Sequence, residues 1–95
     1  MIELLTRQDF ESLLPGSLGI EHQGQRLEMQ VVEARSLVPT STRQNPFALV
    51  LAGPASPVLP QGIYDLLHPH HGRLELFMVP ISRDAQHTHY ELIFN

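Results

Sequence analysis

The sequence predicts a mainly β domain: about six antiparallel strands, arranged as a small barrel or sandwich, with one short N-terminal helix. Three observations carry that expectation. Apolar and polar residues alternate along Leu27, Met29 and Val31 and again along Tyr90, Leu92 and Phe94, the period of a half-buried strand. Turn-forming glycines and prolines recur between such runs. Helical spacing occurs only near the start, and Pro15-Gly16 stops it.

In that helix Thr6 is the expected N-cap, and Asp9 three residues later resembles a capping box. Phe10, Leu13 and Leu14 share one face, which with Leu5 is expected to cover an open end or a face of the sheet. Ser17 to Gln23 reads as a first strand, and Gly24 as a tight turn. The second strand slips its alternation at Val31-Val32-Glu33, where a bulge is expected. Val38 to Asn45 reads as a polar loop. Phe47, Leu49 and Leu51 form a third strand ending at Gly53-Pro54.

Leu59-Pro60-Gln61-Gly62 is a turn signal, with proline and glycine where a turn uses them. Ile63 to Leu67 is the fourth strand, and the residues from His68 to Gly72 form a hairpin loop into Arg73–Ile81. Leu74 to Ile81 is almost continuously apolar, so this fifth strand is expected to be central and covered on both faces. Pro80 must sit where no ladder donor is needed. Ser82 to Gln86 turns the chain into the final strand. An antiparallel meander is the simplest connection of these six.

Ninety-five residues without repeats or a linker make a single domain over 1–95, and the last strand running to the final residue suggests a whole protein. The chain has no cysteine, which removes disulfides and thiolate metal sites and fits a reducing compartment. The N-terminus lacks the features of a signal peptide, and the longest apolar run, Phe47 to Ala52, falls far short of the roughly 20 residues of a membrane span. Cytoplasmic residence without membrane association is the expectation. All six basic residues are arginines spread along the chain, and the formal charge is −4. Nucleic acid is therefore not an expected partner, since phosphate binding needs a concentrated basic surface.

Five of the six histidines fall in His68-Pro69-His70-His71 and His87-Thr88-His89, the densest patch of reactive side chains. Three imidazoles can hold zinc and leave a position open for water. The spacing matches no helical two-histidine motif, however, and a strand over Arg73–Ile81 places the two stretches at its opposite ends. Neither a metal nor a cofactor is expected on these grounds. A shared ion would need neighbouring subunits. No serine stands in Gly-x-Ser-x-Gly, and Gly16-Ser17-Leu18-Gly19 falls short of a nucleotide fingerprint, so no catalytic residue is assigned.

Binding asks less of such a sequence. The 38–46 loop, the Ala52–Gly62 segment with Pro54, Pro57 and Pro60, and the histidine loop are available surfaces. Pro57, Leu59, His68, His70 and His71 are the expected partner contacts. A homo-oligomer is expected because so small a barrel exposes edges that pairing would cover. The reading is a non-enzymatic interaction or assembly module; the alternative is a His-dependent metal-binding protein or metallohydrolase.

Several stretches carry a resemblance: Pro46-Phe47-Ala48-Leu49, Gly53-Pro54, Leu59-Pro60-Gln61-Gly62-Ile63-Tyr64, His68-Pro69, Leu76 to Ile81 and Tyr90 to Asn95, with Leu5 to Phe10 at the start. In these the chain resembles an uncharacterised family of small bacterial domains. The resemblance implies no catalytic residue. It does imply an assembly role, through neighbours of the phage-tail-like or tail-collar kind. It makes His68-Pro69 a family feature and leaves His70, His71, His87 and His89 particular to this chain.

Overall fold

Each alternating run becomes a strand, and the six strands close on themselves. The computed structural model describes residues 5–14, 16–38 and 46–94. Helix α1 spans Gln8–Glu11, and the strands are β1 Leu18–His22, β2 Gln25–Ser36, β3 Phe47–Pro54, β4 Gly62–His68, β5 Gly72–Arg83 and β6 His87–Phe94. Around the barrel the order is β1-β2-β3-β6-β5-β4, with β4 pairing back onto β1, and every pair is antiparallel. Barrel, rather than sandwich, is the outcome.

The connection is not a simple meander. β1-β2-β3 and β4-β5-β6 are two three-stranded meanders, joined where β3 meets β6 and β1 meets β4. The segment from Ala55 to Gln61 therefore crosses one end of the barrel instead of turning β3 tightly into β4. The crossing bends over residues 55–57 and carries Pro57 and Pro60.

Both irregularities fall where the sequence breaks its own period. The β2–β3 register shifts between Val31 and Glu33, and the β5–β6 register shifts between Pro80 and Ser82. Pro80 lacks an amide hydrogen, so a bulge is where a strand can hold it. The β4–β5 hairpin closes from His68 to Gly72, whose φ of +74° is the left-handed conformation that ends a three-residue loop.

One continuous core fills the barrel, with Leu18, Ile20, Met29, Leu49, Leu51, Leu66, Met78, Tyr90 and Leu92 nearly or wholly buried. β5 is not covered on both faces. Leu74, Leu76 and Met78 point inward, whereas Arg73, Glu75 and Phe77 are exposed. The run looked doubly buried because Phe77 and Ile81 are apolar, yet a single-walled barrel has solvent outside. The strand buried along almost its whole length is β3. Its outward Ala48 and Val50 are small, and Arg35 of β2 reaches over them to Glu91 of β6 at 3.1 Å. Long neighbours roof a strand of short side chains.

Helix α1 is a single turn. Its N-cap is Arg7 and not the expected Thr6, and no side chain caps it; Asp9 still accepts the Thr6 amide at 2.7 Å, while the Asp9 amide goes to the Thr6 carbonyl. Phe10 and Leu5 are buried and Leu13 packs against the core. Leu14 is 77% exposed, because the helix ends at Glu11 before a fourth apolar residue can return to that face. The polar stretch Val38 to Asn45 falls, apart from Val38, outside the described residues.

Candidate functional site

The two ends of the barrel are closed differently, and the histidines belong to one of those closures. At the end where β4 finishes and β5 begins, α1 lies across Phe47 and Phe94, whose rings stack at 4.3 Å, with Phe10 at 6.0 and 5.6 Å from them. His68, only 4% exposed, stands with its ring perpendicular to that of Phe10 at 5.2 Å. Its Nε2 lies 2.7 Å from the Asp9 carbonyl oxygen, and its Nδ1 accepts the amides of His70 at 3.0 Å and His71 at 3.2 Å. A carbonyl only accepts and an amide only donates. These partners assign the neutral ring with its proton on Nε2. Burial holds the His68 pKa below the usual histidine value, against the opposing pull of the Asp9 carbonyl.

His71, partly exposed, places Nε2 3.2 Å from Asp9 Oδ1, and Thr6 holds the other carboxylate oxygen. Partial burial raises the Asp9 pKa, but the Thr6 amide and His71 outweigh it, and the carboxyl titrates below its ordinary range. Asp9 therefore ties the helix to the turn twice, by its carbonyl and by its carboxylate. This partnership was not visible in the sequence, where Asp9 and His68 stand far apart.

The opposite end is plugged by the crossing segment. Leu59 is 1% exposed, and its amide donates to the buried Tyr90 hydroxyl at 3.0 Å. Tyr64 donates to the Pro60 carbonyl at 2.6 Å, and burial pushes its phenol pKa up, keeping it a donor. Arg83 and Thr88 both donate to the Ala55 carbonyl, at 2.9 and 3.2 Å. His87 and His89 sit at this end, beyond β5. Asp84 Oδ1 accepts the amides of Gln86 and His87 at 2.8 Å each, which lowers its pKa, and His89 Nδ1 lies 3.3 Å from Ser82 Oγ.

β5 separates the two histidine stretches, running from Gly72 beside His68 to Arg83 beside Thr88. At ~3.3 Å per residue that is roughly 35 Å. One ion cannot bridge them within a chain. Among the described residues no group of three or more His, Asp or Glu is placed to hold a metal.

The expected partner contacts are divided in the same way. Pro57 lies at the plugged end, while His68, His70 and His71 lie at the helix-capped end. Leu59 and His68 are interior residues that hold these closures, so neither offers a surface. Pro57, His70 and His71 remain exposed. Closure also removes the free edges on which pairing between copies would depend. Among the described residues no helix is long and apolar enough to cross a membrane.

The most exposed apolar feature of the sheet lies elsewhere, on the outer wall. Ile63 of β4 and Phe77 of β5 are cross-strand partners, 70% and 54% exposed. Ile81 further along β5 is also exposed. Flanking them toward the helix-capped end, Arg73 binds both Asp65, at 2.8 Å, and Glu21, an ion cluster across β5, β4 and β1. Period-2 alternation from Arg73 and Glu75 would have pointed Phe77 outward, but its apolar neighbours masked that signal.

The chain matches no curated protein and no solved structure. A family model does match it, from the buried Leu5 to Phe94 at the end of β6, a span that takes in all six strands and both end closures. The chain thus belongs to the family described as Domain of unknown function (DUF6916), matched over residues 5–94.

Proposed function

We propose that this domain is a non-enzymatic interaction module whose contact surface is the outer wall around Ile63 and Phe77. The observation that carries the reading is the exposure of this directly paired isoleucine and phenylalanine on a rigid, closed sheet. Scattered apolar side chains on a surface are ordinary, but a paired aromatic and β-branched residue with charged neighbours has the make-up of an interface centre. Arg73, Asp65 and Glu21 supply the polar rim. The partner is a protein whose surface offers an apolar depression to these two protruding side chains. The family resemblance points toward components of phage-tail-like assemblies.

Affinity capture with the wild-type domain and with Ile63→Ser/Phe77→Ser tests this. The double variant should keep its melting temperature within a few degrees, since both side chains already face water, and should lose at least tenfold of the captured partner (about 1.4 kcal/mol or more). Sedimentation of the isolated domain runs alongside, because a second copy of this chain is one occupant the wall could take. Undiminished capture by the double variant would place the interface elsewhere. No captured protein and a monomer at every concentration would overturn the interaction reading.

A further inference from the structure

We infer that the joint between α1 and the β4–β5 turn is a pH-sensitive latch, closed while His68 is neutral and opened when that ring takes up a proton. The geometry permits one protonation state. Nε2–H reaches the Asp9 carbonyl at 2.7 Å, and the Nδ1 lone pair receives two amides at 3.0 and 3.2 Å. A proton on Nδ1 would face both amide hydrogens, and the resulting cation would sit 4% exposed against the Phe10 ring.

What these bonds hold has little stability of its own. A four-residue helix lies far below the length that persists in water without packing. When the ring turns away from Asp9 and the amides, α1 loses the buried one of its two polar tethers, keeping only the partly solvated Asp9–His71 contact, and Phe10 lifts from Phe47 and Phe94. Opening thus uncovers the aromatic end of the core while the six-stranded wall stays paired.

The titratable groups facing His68 are Asp9 from α1 and His70 and His71 from its own turn. A charged His71 attracts the Asp9 carboxylate across 3.2 Å, which favours the closed latch. That pair is partly solvated and contributes little, and charge on His70 or His71 also repels a proton arriving at His68. The sign follows from burial. The closed latch holds the His68 pKa below the unfolded value near ~6.5. Its contribution is complete above that value and falls away as pH drops through it toward the lower folded pKa. Asp9, also lowered, loses its contribution only below about 3.8, a separate window.

Amide exchange and histidine NMR titration between pH 7.5 and 5 test the latch. At pH 7.5 the His68 ring should be neutral with its proton on Nε2. Exchange at the His70, His71 and Phe10 amides, corrected for intrinsic rates, should accelerate by up to about tenfold per pH unit below ~6.5, while core β3 amides stay protected. Binding of an apolar dye should rise in parallel. His68→Gln should remove this pH dependence, and His71→Gln should keep it. Protection unchanged down to pH 5, a charged His68 at pH 7.5, or a transition that survives His68→Gln would overturn the proposal. Should His68→Gln not fold, the titration of His68 in the wild type decides.

Discussion

Phe10→Ala is expected to destabilise the domain by about 3–5 kcal/mol. Phe10 is wholly buried, and its ring meets Phe47, Phe94 and His68 at once. Alanine would leave a void that three rigid rings cannot close by rotating. The flanking turn of helix has too few residues to stay in place unassisted. Urea unfolding gives the number through the midpoint, at an m-value close to wild type if the barrel remains cooperative. Leu14→Ala is the matched control on the same segment. With Leu14 77% exposed, its effect should stay within about 0.5 kcal/mol. Equal effects at the two positions would mean that the helix does not cap the core.

At the other end, Leu59→Ala should cost about 2–5 kcal/mol, large for a residue in a connecting segment. Leu59 is 1% exposed and belongs to the core, although its neighbours Val58 and Pro60 are exposed. Its amide is held by the Tyr90 hydroxyl, so Tyr90→Phe leaves a buried donor without its acceptor and should cost about 1–3 kcal/mol. The two changes act on one anchoring point. Their combined effect should therefore fall short of the sum, which a double-mutant cycle measures. Strict additivity would mean that side chain and hydrogen bond hold the segment independently.

Together these two closures explain how a barrel of 95 residues without disulfides keeps both ends shut. One end uses an aromatic cluster under a helical turn, the other a leucine carried in by a proline-rich crossing. Both were partly legible. Phe10 announced itself through helical spacing, and the strands from Phe47, Leu49, Leu51 and from Tyr90, Leu92, Phe94 through alternation. The bulge at Val31-Val32-Glu33 showed where the alternation slips, whereas at Pro80 only the missing ladder donor was legible, not the register shift. Leu59 was not legible as core, because two adjacent apolar residues, Val58 and Leu59, between prolines carry no periodicity to say which one is buried.

The strand order was beyond the sequence for a similar reason. Local alternation identifies a strand's faces, whereas the choice of neighbour is made by distant contacts such as Leu49 beside Leu92. The histidines illustrate the same limit on the candidate site. Their density reads as chemistry, but the function of His68 is set by an Asp9 carbonyl 59 positions away. Once that bond and the two turn amides are in place, both ring nitrogens are occupied by the fold. Phe77 was lost to the opposite error, an apolar residue assumed to be covered because its neighbours along the chain are.

Site-specific photo-crosslinking in the source cells tests the central claim, that the outer wall and not the end loops makes the contact. A photoreactive phenylalanine analogue placed at position 77, 70 or 57 samples the wall, the histidine turn and the plugged end in turn. Discrete adducts from position 77, with none from positions 70 and 57, are the predicted result. Adducts from position 70 or 57 with none from 77 would contradict it.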